Sequence, residues 1–72
     1  MKTFIIYVKK GGLMEDPAFH WERQGFAVAK NAKDAAVWVF RDDTTFDAKR
    51  MTLWGWQVGY ENKNGGISVL KP

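Results

Sequence analysis

Residues 25–41, GFAVAKNAKDAAVWVFR, decide the fold, because they read as a β-strand that leads directly into a capped helix. In the first part, Phe26 and Val28 alternate with Ala27 and Ala29. Alternation with a period of two, in β-branched and aromatic residues, is typical of a strand whose faces differ. The sequence therefore predicts a strand from Gly25 to Ala29.

A helix is predicted to begin directly after this strand. Asn31 is a favoured N-cap residue, since its side-chain oxygen accepts a hydrogen bond from an amide that the first turn leaves unpaired. Asp34 follows three residues later, as in a capping box with Asp in place of Glu. We expect the helix to run from Ala32 to about Arg41, with small side chains that let it approach a sheet closely. Its apolar stripe comprises Ala32, Ala35, Ala36, Val39 and Phe40.

Two further apolar stretches predict strands on either side of this unit. Residues 3–9 are apolar on both faces, which favours a central place in the sheet. Met51 to Glu61 reads as one long strand, with glycines that leave room for close packing by the helix or by a neighbouring aromatic ring. One face of that strand is expected to carry Trp54, Trp56, Val58 and Tyr60.

The C-terminal end predicts a β-hairpin. Residues 62–65, Asn-Lys-Asn-Gly, form the expected turn, and residues 66–70 the last strand. A four-residue loop would place Tyr60 opposite Ile67 and Val58 opposite Val69. Residues 42–50 are polar and are expected to be irregular.

The element order is therefore β-β-α-β-β in a single domain spanning residues 1–72. We predict an α+β fold, with an antiparallel four-stranded sheet and one helix packed on one face. One helix covers only part of such a sheet, so some aromatic side chains are expected on its open face. The predicted loop from Lys10 to Gln24 is the candidate to cover them.

Composition narrows the function classes. The 72 residues contain no cysteine, which favours a cytoplasmic protein over a secreted one. The apolar run after Met1 is too short for a signal peptide or a membrane span, so no membrane association is expected. The net charge of +3 permits nucleic-acid contact without requiring it.

Residue types that catalysis needs are scarce. His20 is the single histidine, and pairing with Ser68 matches no known catalytic spacing. Gly11-Gly12 is a turn signal rather than a phosphate-binding loop. A metal site of His20 with Glu15, Asp16 and Glu22 lacks the usual paired ligands. We therefore expect no enzyme activity, no cofactor, no metal and no small-molecule substrate.

Two groups of residues are candidates for binding a partner. The first lies around the predicted loop, where Trp, Met and Arg are types enriched in protein interfaces. The second consists of basic residues near the last strands, which together with Trp54, Trp56 and Tyr60 form a possible platform for nucleic-acid bases. In both groups the aromatic residues have an alternative role as core. The predicted partner-binding residues are Lys9, Lys10, Phe19, His20, Trp21, Arg23, Lys49 and Arg50.

The chain resembles small α+β proteins of bacteriophages and mobile elements, in particular anti-CRISPR proteins. The resemblance lies in a strand that leads into a capped, alanine-rich helix and then a hairpin, with Phe26, Val28, Asn31, Asp34, Ala35 and Ala36 as its pattern. The resemblance implies an inhibitor that docks on a larger host protein or ribonucleoprotein complex, such as a CRISPR effector, in the bacterial cytoplasm. The alternative is a nucleic-acid-binding module whose affinity depends on Lys49 and Arg50.

Overall fold

A computed structural model describes residues 1–11 and 20–72. Its elements are β1 (Lys2–Lys10), β2 (His20–Ala29), α1 (Ala32–Val39), β3 (Phe46–Asp47), β4 (Thr52–Leu53), β5 (Trp56–Glu61) and β6 (Ile67–Val69). The strands pair in the order β2-β1-β5-β4-β3, β6 pairs with β5, and every pairing is antiparallel. The α+β class and the antiparallel sheet with one helix are confirmed. The prediction of four strands in the order β-β-α-β-β is wrong, since the described residues form six.

The first hairpin is longer than predicted. β1 lies between β2 and β5, in agreement with the central place that its two apolar faces predict. β2 begins at His20 rather than at Gly25, so residues 20–24 of the predicted loop are strand; residues 12–19 of that loop lie outside the described part of the chain. The register shifts beside Ile6 and Tyr7, where Gln24 is the extra residue of a β-bulge. The bulge absorbs the extra residue, so β2 continues without a break through Gly25, the residue at which the sequence predicted the strand to begin.

The helix begins as predicted. The Asn31 side chain accepts a hydrogen bond of 2.9 Å from the backbone N–H of Asp34, and α1 ends at Val39 with Phe40 as its C-cap. Its buried residues are all alanines, and they pack on β2 and β1 next to Ala27 and Ala29. Small side chains on both surfaces allow the close approach that the sequence predicted.

The predicted strand from Met51 to Glu61 is wrong, because the chain reverses within it. Trp54 and Gly55 both have positive φ, at 55° and 80°, and Leu53 pairs with Trp56 across them. Two positive φ values at the centre of a two-residue connection are the pattern of a type I′ hairpin turn. β4 and β5 therefore form a hairpin.

The short β3–β4 hairpin extends the sheet and closes the core. Residues 42–50 are therefore not entirely irregular, since Phe46 and Asp47 pair with Leu53 and Thr52. The Phe46 ring packs against Phe40 at 5.1 Å between centroids, and Met51 and Leu53 are buried.

The last hairpin differs by one residue from the predicted register. Glu61 lies opposite Ile67 and Gly59 opposite Val69, around a connection of residues 62–66. The Asn62 side-chain oxygen accepts hydrogen bonds from the backbone N–H groups of Asn64 and Gly66, which stabilises the longer connection. A slip of one residue moves every side chain of a strand to the opposite face. Ile67 and Val69 therefore lie on the face away from the helix.

The two faces of the sheet have different environments. On the helix-side face, Ile6, Val8 and Val58 are fully buried, and Trp56 and Tyr60 pack against the same core. The alternative role of the strand aromatics as core is thus confirmed for these two rings. Trp54 is in the turn and is 71% exposed, so the predicted row of Trp54, Trp56 and Tyr60 does not form.

On the face away from the helix, neighbouring groups approach the backbone at position 59 so closely that the residue must be glycine. A Cβ atom there would lie 2.7 Å from Cγ2 of Ile67, 2.9 Å from the Ser68 carbonyl oxygen and 3.0 Å from the Trp21 ring. The expectation that a glycine of this strand makes room for an aromatic ring is confirmed at Gly59.

Gly59→Ala should destabilise the protein by about 1–3 kcal/mol, since the added methyl overpacks a site that includes a backbone carbonyl. Chemical denaturation measures this change. Gly66→Ala is the control, because its nearest neighbour would be 3.5 Å away, and it should change stability little. Equal stability of the two variants would contradict the close packing of Trp21 on Gly59.

Asn31→Ala should cost about 1 kcal/mol of stability, because the N–H of Asp34 loses its hydrogen-bond acceptor. Asn31→Ser or Asn31→Asp, which keep an acceptor, should retain most of the wild-type stability. Thermal unfolding followed by circular dichroism provides the measurement. A loss in Asn31→Asp as large as in Asn31→Ala would argue against the capping role.

Candidate binding surface

The face of the sheet away from α1 includes a continuous area on the four strands β2, β1, β5 and β6. Residues that are directly opposite in an antiparallel pair share a face, so the register identifies its members. We call the part of this surface on β2, β1, β5 and β6 the open face: Thr3, Ile5, Tyr7, Lys9, Trp21, Arg23, Phe26, Val28, Gln57, Gly59, Glu61, Ile67 and Val69.

Large apolar side chains of the open face remain accessible to solvent. Phe26 is 60% exposed, Val28 59% and Val69 37%, and they flank the half-buried Ile5 and Tyr7 of the central strand β1. Contiguous exposed apolar groups on a folded domain mark interaction sites more often than isolated ones do. The expectation of aromatic residues on an open face is therefore confirmed, with a different set of residues.

Cations alternate with aromatic rings on this face. Lys9 lies opposite Trp21, with its Nζ 6.0 Å from the ring centroid, and Arg23 lies opposite Tyr7. Arg23 is exposed and has no ion-pair partner among residues 1–11 and 20–72. Among the described residues of β2, β1, β5 and β6, Glu61 at the end of β5 is the one carboxylate on this face; Asp47 lies on the same side of the sheet in the more distant strand β3. The described residues of the open face therefore combine an apolar surface with two cations, Lys9 and Arg23, and one carboxylate.

The other predicted residues of the first hairpin lie on the helix-side face. Glu22 binds Lys10 across the strands, with 3.0 Å between Nζ and the carboxylate oxygen, and its other oxygen is 3.7 Å from His20 Nε2. Nζ of Lys10 is also 5.7 Å from the centroid of the Trp56 ring. The hydrogen bond from Lys10 lowers the pKa of Glu22 below its ordinary value, and the Lys10 charge and the Gln24 side chain add to the shift.

Lys49 and Arg50 belong to a turn between β3 and β4. Their backbone N–H groups donate to the Asp47 carboxylate at 3.0 Å and 3.2 Å, and the Arg50 guanidinium lies 3.9 Å from the same group. Both side chains are exposed and are outside the open face. Their local role is to extend a turn that Asp47 organises.

The structure thus divides the predicted partner-binding residues into three places. Lys9, Trp21 and Arg23 share the open face, whereas Lys10 and His20 lie on the opposite side of the same strands. Lys49 and Arg50 are in the β3–β4 turn. Phe19 lies outside the described residues, as do Glu15 and Asp16 of the metal site considered from the sequence.

Sequence reasoning missed the largest contributors to the open face, namely Tyr7, Phe26, Val28, Ile67 and Val69. The signal for two of them was present. Ala27 and Ala29 alternate with Phe26 and Val28 along the strand. Only the alanines are small enough to lie under an alanine-rich helix that packs closely on the sheet. The bulkier residues must then point away from the helix. The positions of Ile67 and Val69 depend on the register of the last hairpin, which the composition of its turn did not reveal.

Two tryptophans are exposed away from the open face. Trp38 on α1 is 57% exposed, but the Arg41 guanidinium stacks on its ring at 4.2 Å and donates to its carbonyl oxygen at 2.8 Å. Trp54 occupies the type I′ turn. Each is a single aromatic residue, in contrast to the extended surface of the open face.

A shallow depression of about 430 Å³ lies between the β2 bulge and the end of α1, lined by Gln24, Val39, Phe40, Asp42, Asp43 and Thr44. Hydrogen bonds from the Thr45 hydroxyl and backbone N–H lower the pKa of Asp43, so this carboxylate is already engaged locally. The described residues contain no group of three or more His, Asp or Glu side chains that is arranged to hold a metal ion.

The fold and the open face define the chain only as a small α+β protein with an exposed, basic and aromatic sheet surface. No protein-family model matches the chain, and neither curated proteins nor solved structures give a significant match. Among the described residues, no helix has the length and apolarity to cross a membrane.

Glu22→Gln should reduce the pH dependence of stability in mild acid. Because the folded-state pKa of Glu22 is lowered, the stability that it contributes is present above the ordinary Glu pKa of about 4.3 and is lost as pH falls through the folded-state value. Urea unfolding between neutral pH and pH 3 measures the difference between wild type and variant.

The difference should shrink toward pH 3, and it should be small throughout, as for other exposed ion pairs. Lys10→Gln should remove the same pH-dependent part, and the double variant should lose little more than either single variant. Wild-type and Glu22→Gln curves that stay parallel over this range would rule out the coupling.

Proposed function

We propose that the chain is a non-catalytic binding protein that docks through its open face on a larger protein or ribonucleoprotein complex. In this proposal it acts as a phage or mobile-element inhibitor in the bacterial cytoplasm. The single observation that carries the docking role is the exposure of Phe26, Val28 and Val69 on one continuous sheet surface.

The small size of the core supports this role. The chain contains eleven aromatic residues, yet Phe40, at 5% exposure, is the one described aromatic residue among the buried core residues. A domain of this size gains most of its stability from buried apolar area. Large apolar side chains that stay exposed, at a cost in stability, are explained if a partner covers them. Phe26 has the exposure and ring size of an interface anchor.

The positive charge of the open face agrees with a target that contains nucleic acid or an acidic protein surface. Arg23 and Lys9 add long-range attraction, which raises association rates more than it raises affinity. The choice of a CRISPR effector as the first target to test follows from the resemblance to anti-CRISPR proteins in the sequence.

The test is to add the purified protein to a panel of guide-loaded CRISPR effector complexes and to measure co-elution and target cleavage. At least one complex should retain the protein and be inhibited by it. Phe26→Ala should weaken that inhibition by tenfold or more, the roughly 1.4 kcal/mol or greater loss expected for an anchor residue.

Trp38→Ala is the matched control, since it removes a similarly exposed aromatic side chain from the helix instead of the sheet. It should leave inhibition unchanged. If no complex in the panel retains the protein, or if Trp38→Ala costs as much as Phe26→Ala, the proposed function is wrong.

A further inference from the structure

We propose that the open face binds single-stranded nucleic acid, with bases stacked on Tyr7, Trp21 and Phe26 and backbone phosphates held by Arg23 and Lys9. This inference rests on the proposed function and names what the open face touches within a target complex.

The arrangement of cations and rings is the first argument. On β1 and β2 the directly opposite pairs are Lys9 with Trp21 and Tyr7 with Arg23. A single strand presents alternating bases and phosphates, so a surface that binds it needs aromatic faces next to positive charges. The open face has this arrangement.

Spacing is the second argument. Phe26 lies opposite Ile5, and Ile5 is two residues from Tyr7 on the same face, so Phe26 and Tyr7 are diagonal neighbours across adjacent strands. Diagonal cross-strand neighbours are about 7–8 Å apart. Two rings at that distance can each accept one base of an extended strand, and Arg23 lies beside both.

Charge and dimensions are compatible with a single strand. Four strands at about 4.8 Å spacing make a platform roughly 15 Å wide and, over the four rows from Thr3 to Lys9, about 20 Å long. Among the described residues of these four strands, the face carries the cations Lys9 and Arg23 and one carboxylate, Glu61.

Single strands fit better than duplexes. The one described helix, α1, packs on the opposite face of the sheet, so the open face offers no described helix to enter a groove. Its most exposed ring is that of Phe26, at 60% exposure. Stacking on such a ring requires a base whose face is accessible, which unpaired nucleotides offer and a duplex does not.

Fluorescence anisotropy with labelled oligothymidylate and oligouridylate of about 12 nucleotides tests the inference, with a duplex of the same length for comparison. Wild-type protein should bind both single strands more tightly than the duplex. Phe26→Ala should weaken single-strand binding roughly 5- to 150-fold, as expected for loss of one stacked base, without changing the slope of log K against log salt.

Arg23→Gln should lower the magnitude of that slope by about 0.7, the value for one phosphate contact to a single strand. Lys49→Gln is the charge-matched control in the β3–β4 turn and should leave the slope unchanged. Both side chains are exposed, so neither change is expected to unfold the protein, and circular dichroism verifies this.

Absence of any anisotropy change at low salt with ~100 µM protein, the weak end of non-specific binding, would overturn the inference. So would equal effects of Arg23→Gln and Lys49→Gln, because they would indicate diffuse attraction. If the oligonucleotides fail to bind but a CRISPR effector still retains the protein through Phe26, the inference falls and the proposed function stands. If the oligonucleotides bind and no effector complex retains the protein, the proposed function falls and single-strand binding by the open face stands.

Discussion

The close packing of an alanine-rich helix on the alanines of β2 is the constraint on which the rest of the structure depends. Because Ala35 and Ala36 share one buried cluster with Ala27 and Ala29 and α1 packs on β2, the helix fixes which face of the sheet is the core. The alternation of the strand then places Phe26 and Val28 on the other side. A single eight-residue helix covers only one face, so the open face is a direct consequence of the same packing.

The sequence predicted the elements that depend on local signals. The N-cap at Asn31, the helix after it and the central position of β1 all follow from patterns that span a few neighbouring residues, and all three are confirmed. Hydrophobic periodicity and capping are reliable there because the same residues that produce the signal also make the stabilising contacts.

The wrong predictions concern the two hairpins in which the conformation of one or two turn residues decides the path of the chain. Trp54 has positive φ, which is rare for a bulky side chain, so Trp-Gly did not signal the turn that Asn-Gly would have signalled. At the last hairpin, bonds from backbone N–H groups to Asn62 select a longer connection and shift the register. The candidate site was divided for a related reason: neighbours in sequence, such as Lys9 and Lys10, point to opposite faces of a strand.

The contact between Trp21 and Gly59 restricts how this protein can evolve. The two residues are far apart in the chain, yet the Trp21 ring, the Ile67 side chain and the Ser68 carbonyl oxygen together occupy the space that any larger residue at position 59 would need. Replacing Trp21 alone does not open that space, because Ile67 and the Ser68 backbone lie closer to it than the ring does. A substitution at position 59 therefore requires smaller residues at positions 21 and 67 and a shift of β6, so the shape of the open face changes only when several positions change together.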